Sequence, residues 1–365
     1  MTLTRSVPRI LLSAAALVAT ILAAGPAAAD NAVVAPDGTL YEVFQARYDE
    51  IIPTPEGSAN ARMPVLGLRI TPSEGEPRLE LVDGTVDDDD EGSISIEFED
   101  TTGTLFIAYT KTAGLMADMH IAVRRDGLWL GQDILSNRGL YLSINPKVAV
   151  TRQQYVDFDS EGNPVTKNRS IFSLVWWEES GPSQARYAPI FVEDGALRID
   201  SVEAWNLNEL AGTPGVTDGG GLPVSAFSYP SVQADPATNG GVLVTFANLV
   251  TRTQQVLRIT FFDDLTKLVP PGARRVTDEA WARSHVPIGR SAGEGRIPAV
   301  MNTLSAVGAV ASQRGVTTFY WVEGNTLRFV RSSDAATAAP RSLALRSNFS
   351  EEKALRLVRA LAEKN

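Results

Sequence analysis

Four stretches of the chain close on an aspartate, at Asp126, Asp194, Asp263 and Asp334, and the gaps between these positions are 68, 69 and 71 residues. An apolar, β-branched or aromatic run stands ahead of each: 120–125, 189–193, 258–262 and 327–331. A second run lies upstream of every one, Leu105 to Tyr109, Phe172 to Trp176, Val242 to Phe246 and Thr318 to Trp321, with aromatic-to-aromatic intervals of 67, 70 and 75. A unit of two or more strands recurring about every 70 residues is too long for a solenoid rung and predicts the blade of a β-propeller. The expected fold class is therefore all-β, a β-propeller of five to six four-stranded antiparallel blades with a short C-terminal helix.

Five blades can be placed. The first runs from about Leu40 to Gly84, the second from Ser93 to Ile134 and the third from Leu142 to Leu207. The fourth takes Tyr229 to about Leu268 and the fifth about Val286 to Leu345, with room for a hidden sixth between Arg274 and Ala306. Ile94-Ser-Ile-Glu-Phe98 alternates apolar and polar, which gives a strand one buried and one wet face. Asp194-Gly195 between two such runs is a two-residue hairpin signal. Asn145-Pro146 and Tyr229-Pro230 open the third and fourth blades, since proline fits a strand's first position, where its missing N–H costs no ladder bond. Ring closure would use the strand Thr39 to Ala46, added to the last blade so that no edge stays open. The tail 349–365 changes period, with Leu355, Val358, Leu361 and Ala362 on one side and Ser350 as a cap, and reads as an amphipathic helix packed on the ring.

Residues 1–29 read as a secretory signal peptide: Arg5 and Arg9, an apolar stretch from Ile10 to Ala24, and small residues to Ala29. The propeller domain is then 30–348, and the expected destination is the periplasm or the medium of a bacterium. No cysteine occurs, which excludes disulfides and thiolate metal sites and suits a core large enough to stand without crosslinks. Losing the two leader arginines takes the net charge from −10 to −12. Attraction to nucleic acid is disfavoured at that charge, and no later stretch is long and apolar enough to span a bilayer.

Blades that open on Asn-Pro or Tyr-Pro, with a Trp- or Phe-ended middle strand and an Asp-Gly hairpin, resemble the degenerate, Asp-box-type repeats of the sialidase-like β-propeller superfamily. The resemblance covers residues 40–345 and rests on Pro146, Trp176-Trp177, Asp194-Gly195, Pro230, Phe246 and Trp321. It implies a propeller frame in an exported bacterial protein. The Asp-box itself, Ser-x-Asp-x-Gly-x-Thr-Trp, occurs nowhere in the chain, and no motif assigns the arginine triad, tyrosine nucleophile and acid of sialidase catalysis.

Two acidic loops share the pattern Asp-x-Asp-x-Glu-Gly: Asp87, Asp89 and Glu91 before Gly92, and Asp157, Asp159 and Glu161 before Gly162. Alternate carboxylates ending in glycine can wrap oxygens around Ca²⁺, although the twelfth position, which should hold a bidentate Glu, offers Phe98 and Asn168. The same loops also read as charged hairpin turns that discourage edge-to-edge aggregation. Trp177, beside Glu178 and Glu179, and Trp205, at the start of a long insertion, are candidate ligand-binding aromatics. Strand alternation keeps Trp176 and Trp177 on opposite faces, so one of the pair belongs to the core. The two histidines, His120 and His285, have no motif partners for a zinc site or a triad. The expected function is an exported scaffold that binds an envelope protein or a glycan through face loops, above all the third-blade insertions 153–168 and 205–222. The alternatives are a sialidase-like glycoside hydrolase and a purely structural spacer.

Overall fold

The computed structural model describes residues 31–54, 62–85, 90–113, 116–134, 142–179, 184–193, 196–198, 204–211, 230–248, 253–296, 307–311, 317–323, 326–331 and 341–344. The segments expected as a leader and a C-terminal helix, and Asp87 and Asp89, lie outside these residues. The described chain is all-β, with few and short helices, and the strands form five successive four-stranded antiparallel meanders. The first holds β1 (Ala32–Val34), β2 (Leu40–Arg47), β3 (Pro64–Thr71) and β4 (Arg78–Leu81). The second holds β5 (Asp90–Glu99), β6 (Thr104–Ala113), β7 (Met116–Arg125) and β8 (Leu128–Ile134). In the third, β9 (Leu142–Phe158), β10 (Pro164–Glu179), β11 (Gln184–Glu193) and β12 (Ala196–Arg198) lie in order, and β13 (Trp205–Asn206) also pairs with β11. A single parallel pair, Ala117 with Leu142, joins the second and third meanders into one nine-stranded sheet. The fourth consists of β14 (Ser231–Ala234), β15 (Val242–Asn248), β16 (Thr253–Thr260) and β17 (Ile288–Arg296). β18 (Val307–Ala311), β19 (Thr317–Glu323), β20 (Thr326–Arg331) and β21 (Arg341–Ala344) complete the fifth.

Two observations make these meanders the blades of a propeller. The leading strands touch in succession, β1 with β5, β5 with β9, β9 with β14 and β14 with β18, as they do when blades stand radially around one line. The apolar cores lie between consecutive blades, and strand alternation divides each middle strand between two of them. On β6, Leu105, Ile107 and Tyr109 face the first blade, packing with Val43, Leu66 and Leu68, while Phe106 and Ala108 face the third. On β10, Phe172, Leu174 and Trp176 fill the core shared with the second blade, and Ile171 and Val175 join Val242, Val244 and Phe246 in the core shared with the fourth. Phe106 and Phe172 stack across the first of these seams at 4.8 Å.

Several expectations are corrected. The segment 40–47 pairs with β1 and β3 inside the first blade, so it does not complete the last one. The described part of 274–306 holds no sixth blade: it contains the helix Asp278–Ser284 and β17, and β17 is the fourth strand of the fourth blade, not part of the fifth. Pro146 does not open its strand. It sits four residues into β9, where Asn145 takes a left-handed φ of 53° and the register slips between Val175 and Trp177, a bulge that tolerates a residue without an N–H. The two-residue hairpin expected at Asp194-Gly195 lies outside the described residues; a tight turn of that kind, with φ of 49° and 80°, stands at Asp126-Gly127 between β7 and β8.

A charged lock ties the second blade to the third. Glu99, at the end of β5, accepts hydrogen bonds from the backbone N–H groups of Thr101 (3.0 Å) and Thr102 (2.8 Å), from the Thr102 hydroxyl (2.6 Å) and from Arg152 of β9 (2.9 Å). Burial pushes its carboxyl up, but the hydrogen bonds from Thr102 and Thr101 outweigh that and hold it at about 2, below its ordinary 4.5. A carboxyl held low in the folded chain adds stability wherever it is ionised in both states, and that stability drains away as pH falls from 4.5 through about 2. Thr102→Val should therefore cost roughly 2 kcal/mol at neutral pH, allowing for screening by the water around Arg152. In denaturant melts the gap from the parent chain should close as the pH approaches about 2. A gap that stays constant over that range would show that ionised Glu99 is not the group at work.

Candidate functional site

In the third blade β9 and β10 run far beyond the end of β11. Their ladder continues from Arg169 opposite Gln153 out to Pro164 opposite Phe158, whereas β11 stops at Glu193, the partner of Arg169. The segment 153–168, expected as an inserted loop, is thus a protruding two-stranded hairpin. Facing it is the connection 261–287 between β16 and β17, which leaves its own sheet at Phe261, crosses to the third blade and returns. A 3₁₀ turn at Leu265–Leu268 and the helix Asp278–Ser284 give this excursion its shape, and the Thr277 hydroxyl caps the helix through the Ala280 N–H.

Backbone and side chain both bind the excursion to the hairpin. The Val156 N–H donates to the Asp263 carbonyl at 2.8 Å, and the Gln153 side-chain amide donates to the Phe261 carbonyl at 3.0 Å. At the hairpin tip Gly162 adopts a φ of 88°, and a Cβ there would stand 2.7 Å from the Arg274 Cβ, so the turn is pressed against the excursion. The neighbouring turn 235–241 of the fourth blade is held too, through Thr151 Oγ1 to the Gly240 carbonyl and through the Asn239 side chain, which both accepts from and donates to the Gln154 backbone.

At the root of the hairpin lies Arg169, whose side chain is fully buried. Its five N–H donors are all used: Nε to Gln153 Oε1 (2.8 Å), Nη1 to Glu193 Oε1 (3.0 Å) and Ser284 Oγ (3.3 Å), and Nη2 to the carbonyls of Phe262 (3.0 Å) and Ser284 (3.1 Å). The guanidinium lies over the rings of Tyr155 and Phe191, at 5.0 and 4.9 Å. Glu193 also accepts from Trp281 Nε1 (3.2 Å), and its Oε1 lies 2.9 Å from His285 Nε2. Burial pushes the Glu193 carboxyl up, but His285 and Arg169 more than offset that and keep it below the ordinary carboxylate range. The His285 ring packs at 3.9 Å on Trp281 and at 4.1 Å on Phe191. Chemically this cluster is a clamp. With every donor of Arg169 spent on the chain's own acceptors, the guanidinium has none to offer a substrate carboxylate, and the excursion is fixed as a rigid shelf beside the hairpin.

The residues singled out in the sequence are scattered relative to this clamp. Asp157 pairs with Lys167 at 2.7 Å across the hairpin, while Asp159 accepts the backbone N–H groups of Glu161 and Asn163 and shapes the turn, which holds its carboxyl low. Asp157, Asp159 and Glu161 are not gathered into a cage, and among the described residues no three His, Asp or Glu side chains are placed to hold a metal. Glu91 falls in β5, with only its backbone described. Trp176 is core, Trp177 is half-buried on the other side of β10, and Glu178 is buried against Arg186 at 3.0 Å. Trp205 pairs with Tyr187 and packs on the core between the third and fourth blades, a wall position and not an open platform. The clamp residues Gln153, Arg169, Glu193 and His285 escaped the sequence reading. The one hint was the acid that closes the apolar run at Glu193, where the equivalent place before the repeated aspartate holds Arg125 and Phe262 in the adjoining blades.

No helix among the described residues is long and apolar enough to cross a membrane. No protein-family model matches the chain, and neither does any curated protein. Among solved structures it is similar to the hemagglutinin-neuraminidase ectodomain of parainfluenza virus 5, at 8% identity over 88% of this chain and 81% of that one, with a TM-score of 0.23. A likeness of that size carries no argument, and the architecture rests on the pairing and packing given above.

Proposed function

We propose that the protein is an exported β-propeller scaffold that binds an envelope protein or a glycan through the loops of one face, centred on the β9–β10 hairpin and the excursion 261–287. The observation that carries this reading is the clamp. Long loops on a rigid frame are where binding usually resides, and this one is pre-organised by a saturated, buried arginine, which spares a ligand the entropy of ordering it. The same saturation removes Arg169 from the arginines that a sialidase-like hydrolase would need free toward a sugar carboxylate. Export through the leader 1–29 to the periplasm or the medium belongs to the same proposal.

The test is capture by the immobilised mature chain from an envelope extract, alongside a panel of fluorogenic glycosides. The exposed Arg274 and Arg275 lie on the shelf, so the charge reversals Arg274→Glu and Arg275→Glu should abolish retention of the captured protein or polysaccharide while leaving the circular dichroism unchanged. Retention of nothing, retention indifferent to both reversals, or hydrolysis of a sialoside above buffer would each overturn the reading.

A further inference from the structure

Where the excursion rejoins its sheet, β17 forms the last strand of the fourth blade and, among the described residues, pairs only with β16. Thr260 lies opposite Ile288 and Arg258 opposite Arg290, so Ile288 and Arg290 share one face of the sheet, and alternation carries that face on to Val286 and Phe262. Burial confirms the alternation: Phe261 and Pro287 are buried, while Phe262, Val286 and Ile288 are 36, 40 and 42% exposed. The opposite face is already covered, because a Cβ at Gly289 would stand 2.5 Å from the Leu210 carbonyl oxygen. Arg283 joins the open strip through the turn in which the Val286 N–H donates to its carbonyl.

Charge marks this strip as well. Arg69, Arg124, Arg152, Arg169, Arg186 and Arg258 each hold a carboxylate of the chain itself. Arg283 and Arg290 are exposed and have no carboxylate partner among the described residues, in a chain of net charge −10. Two unneutralised arginines flanking three exposed apolar side chains fit a ligand that alternates carboxylates with apolar groups. A highly hydrated polysaccharide would leave the apolar residues unmatched.

We propose that the strip Phe262, Arg283, Val286, Ile288 and Arg290 docks an extended acidic segment of a partner protein, with apolar side chains set between its carboxylates. This inference rests on the binding reading above and narrows it from protein or glycan to protein.

The experiment measures fluorescence anisotropy of a labelled peptide alternating glutamate and leucine, titrated with the mature chain. A poly-glutamate of equal length and a sulfated polysaccharide serve as competitors. The expected result is binding that falls at least about tenfold in the double variant Arg283→Gln/Arg290→Gln and severalfold in Ile288→Ser, with poly-glutamate at least about tenfold the weaker competitor. Both variants change exposed side chains, and unchanged thermal melts confirm their folding. Absence of peptide binding, binding indifferent to both variants, or equal competition by poly-glutamate would overturn the inference. If the extract instead yields a polysaccharide retained through Arg274 and Arg275, the binding reading stands and this inference alone falls.

Discussion

Replacing Arg169 by methionine should cost about 3–5 kcal/mol of unfolding free energy, one of the two largest single-site losses expected in the molecule. Methionine keeps much of the volume and the apolar stem between Tyr155 and Phe191 but removes all five donors at once. Glu193 then stays buried with its nearest permanent cation gone, and the carbonyls of Phe262 and Ser284 lose the N–H groups they accept from. An unpaired buried charge is more costly than a missing pair, so the double variant Arg169→Met/Glu193→Gln should recover a good part of the loss. Arg169→Lys should fall between, because an ammonium cannot fork toward Gln153, Glu193 and two carbonyls together. Denaturant midpoints give the magnitudes. Hydrogen exchange gives the location: amides of 261–287 should open first, with those of β5 to β7 unaffected. A loss under about 1 kcal/mol would mean that Arg169 is not the anchor.

Gly240→Ala should destabilise by about 2–3 kcal/mol although it adds one carbon to a surface turn. The residue has a φ of 76°, and the new Cβ would lie 2.5 Å from the Gln153 Cβ and 2.9 Å from the Arg152 carbonyl oxygen. Relief requires the turn 235–241 to lift away from β9, which breaks the Thr151 bond to the Gly240 carbonyl and the two made by Asn239. Gly272→Ala supplies the control. Its φ is 84°, yet nothing lies within 4 Å of the added carbon, so it should show the backbone strain alone, about 1 kcal/mol. Equal losses in the two variants, read from thermal and denaturant melts, would show that the contact with β9 is not what matters at Gly240.

Alternation made most of the frame legible. The runs 105–109 and 171–176 are apolar at every position or nearly so, as strands buried on both faces must be, and both turned out to feed two cores. The fourth blade was not legible in this way, because Asp263 closes its run just as Asp194 does, yet one aspartate precedes a return strand at once and the other launches the excursion. β17 reads Ile-Gly-Arg-Ser-Ala-Gly-Glu-Gly-Arg, three glycines and no apolar alternation, and it is a strand because the edge of β16 offers it partners. Nothing in spacing could have joined Gln153, Arg169, Glu193 and His285, since only the tertiary crossing of 261–287 brings them together. The loop 157–162 shows a related ambiguity: Asp-x-Asp-x-Glu-Gly describes a hairpin turn in which Asp159 is satisfied by the loop's own amides as well as it describes a cation loop.

The excursion should also impose an order of assembly. In a simple array each blade could close on itself as soon as its four strands had left the ribosome. Here the last strand of the fourth blade is reached only through 261–287, which is bound to the hairpin of its predecessor, so the two blades are expected to mature, and come apart, as a single cooperative block.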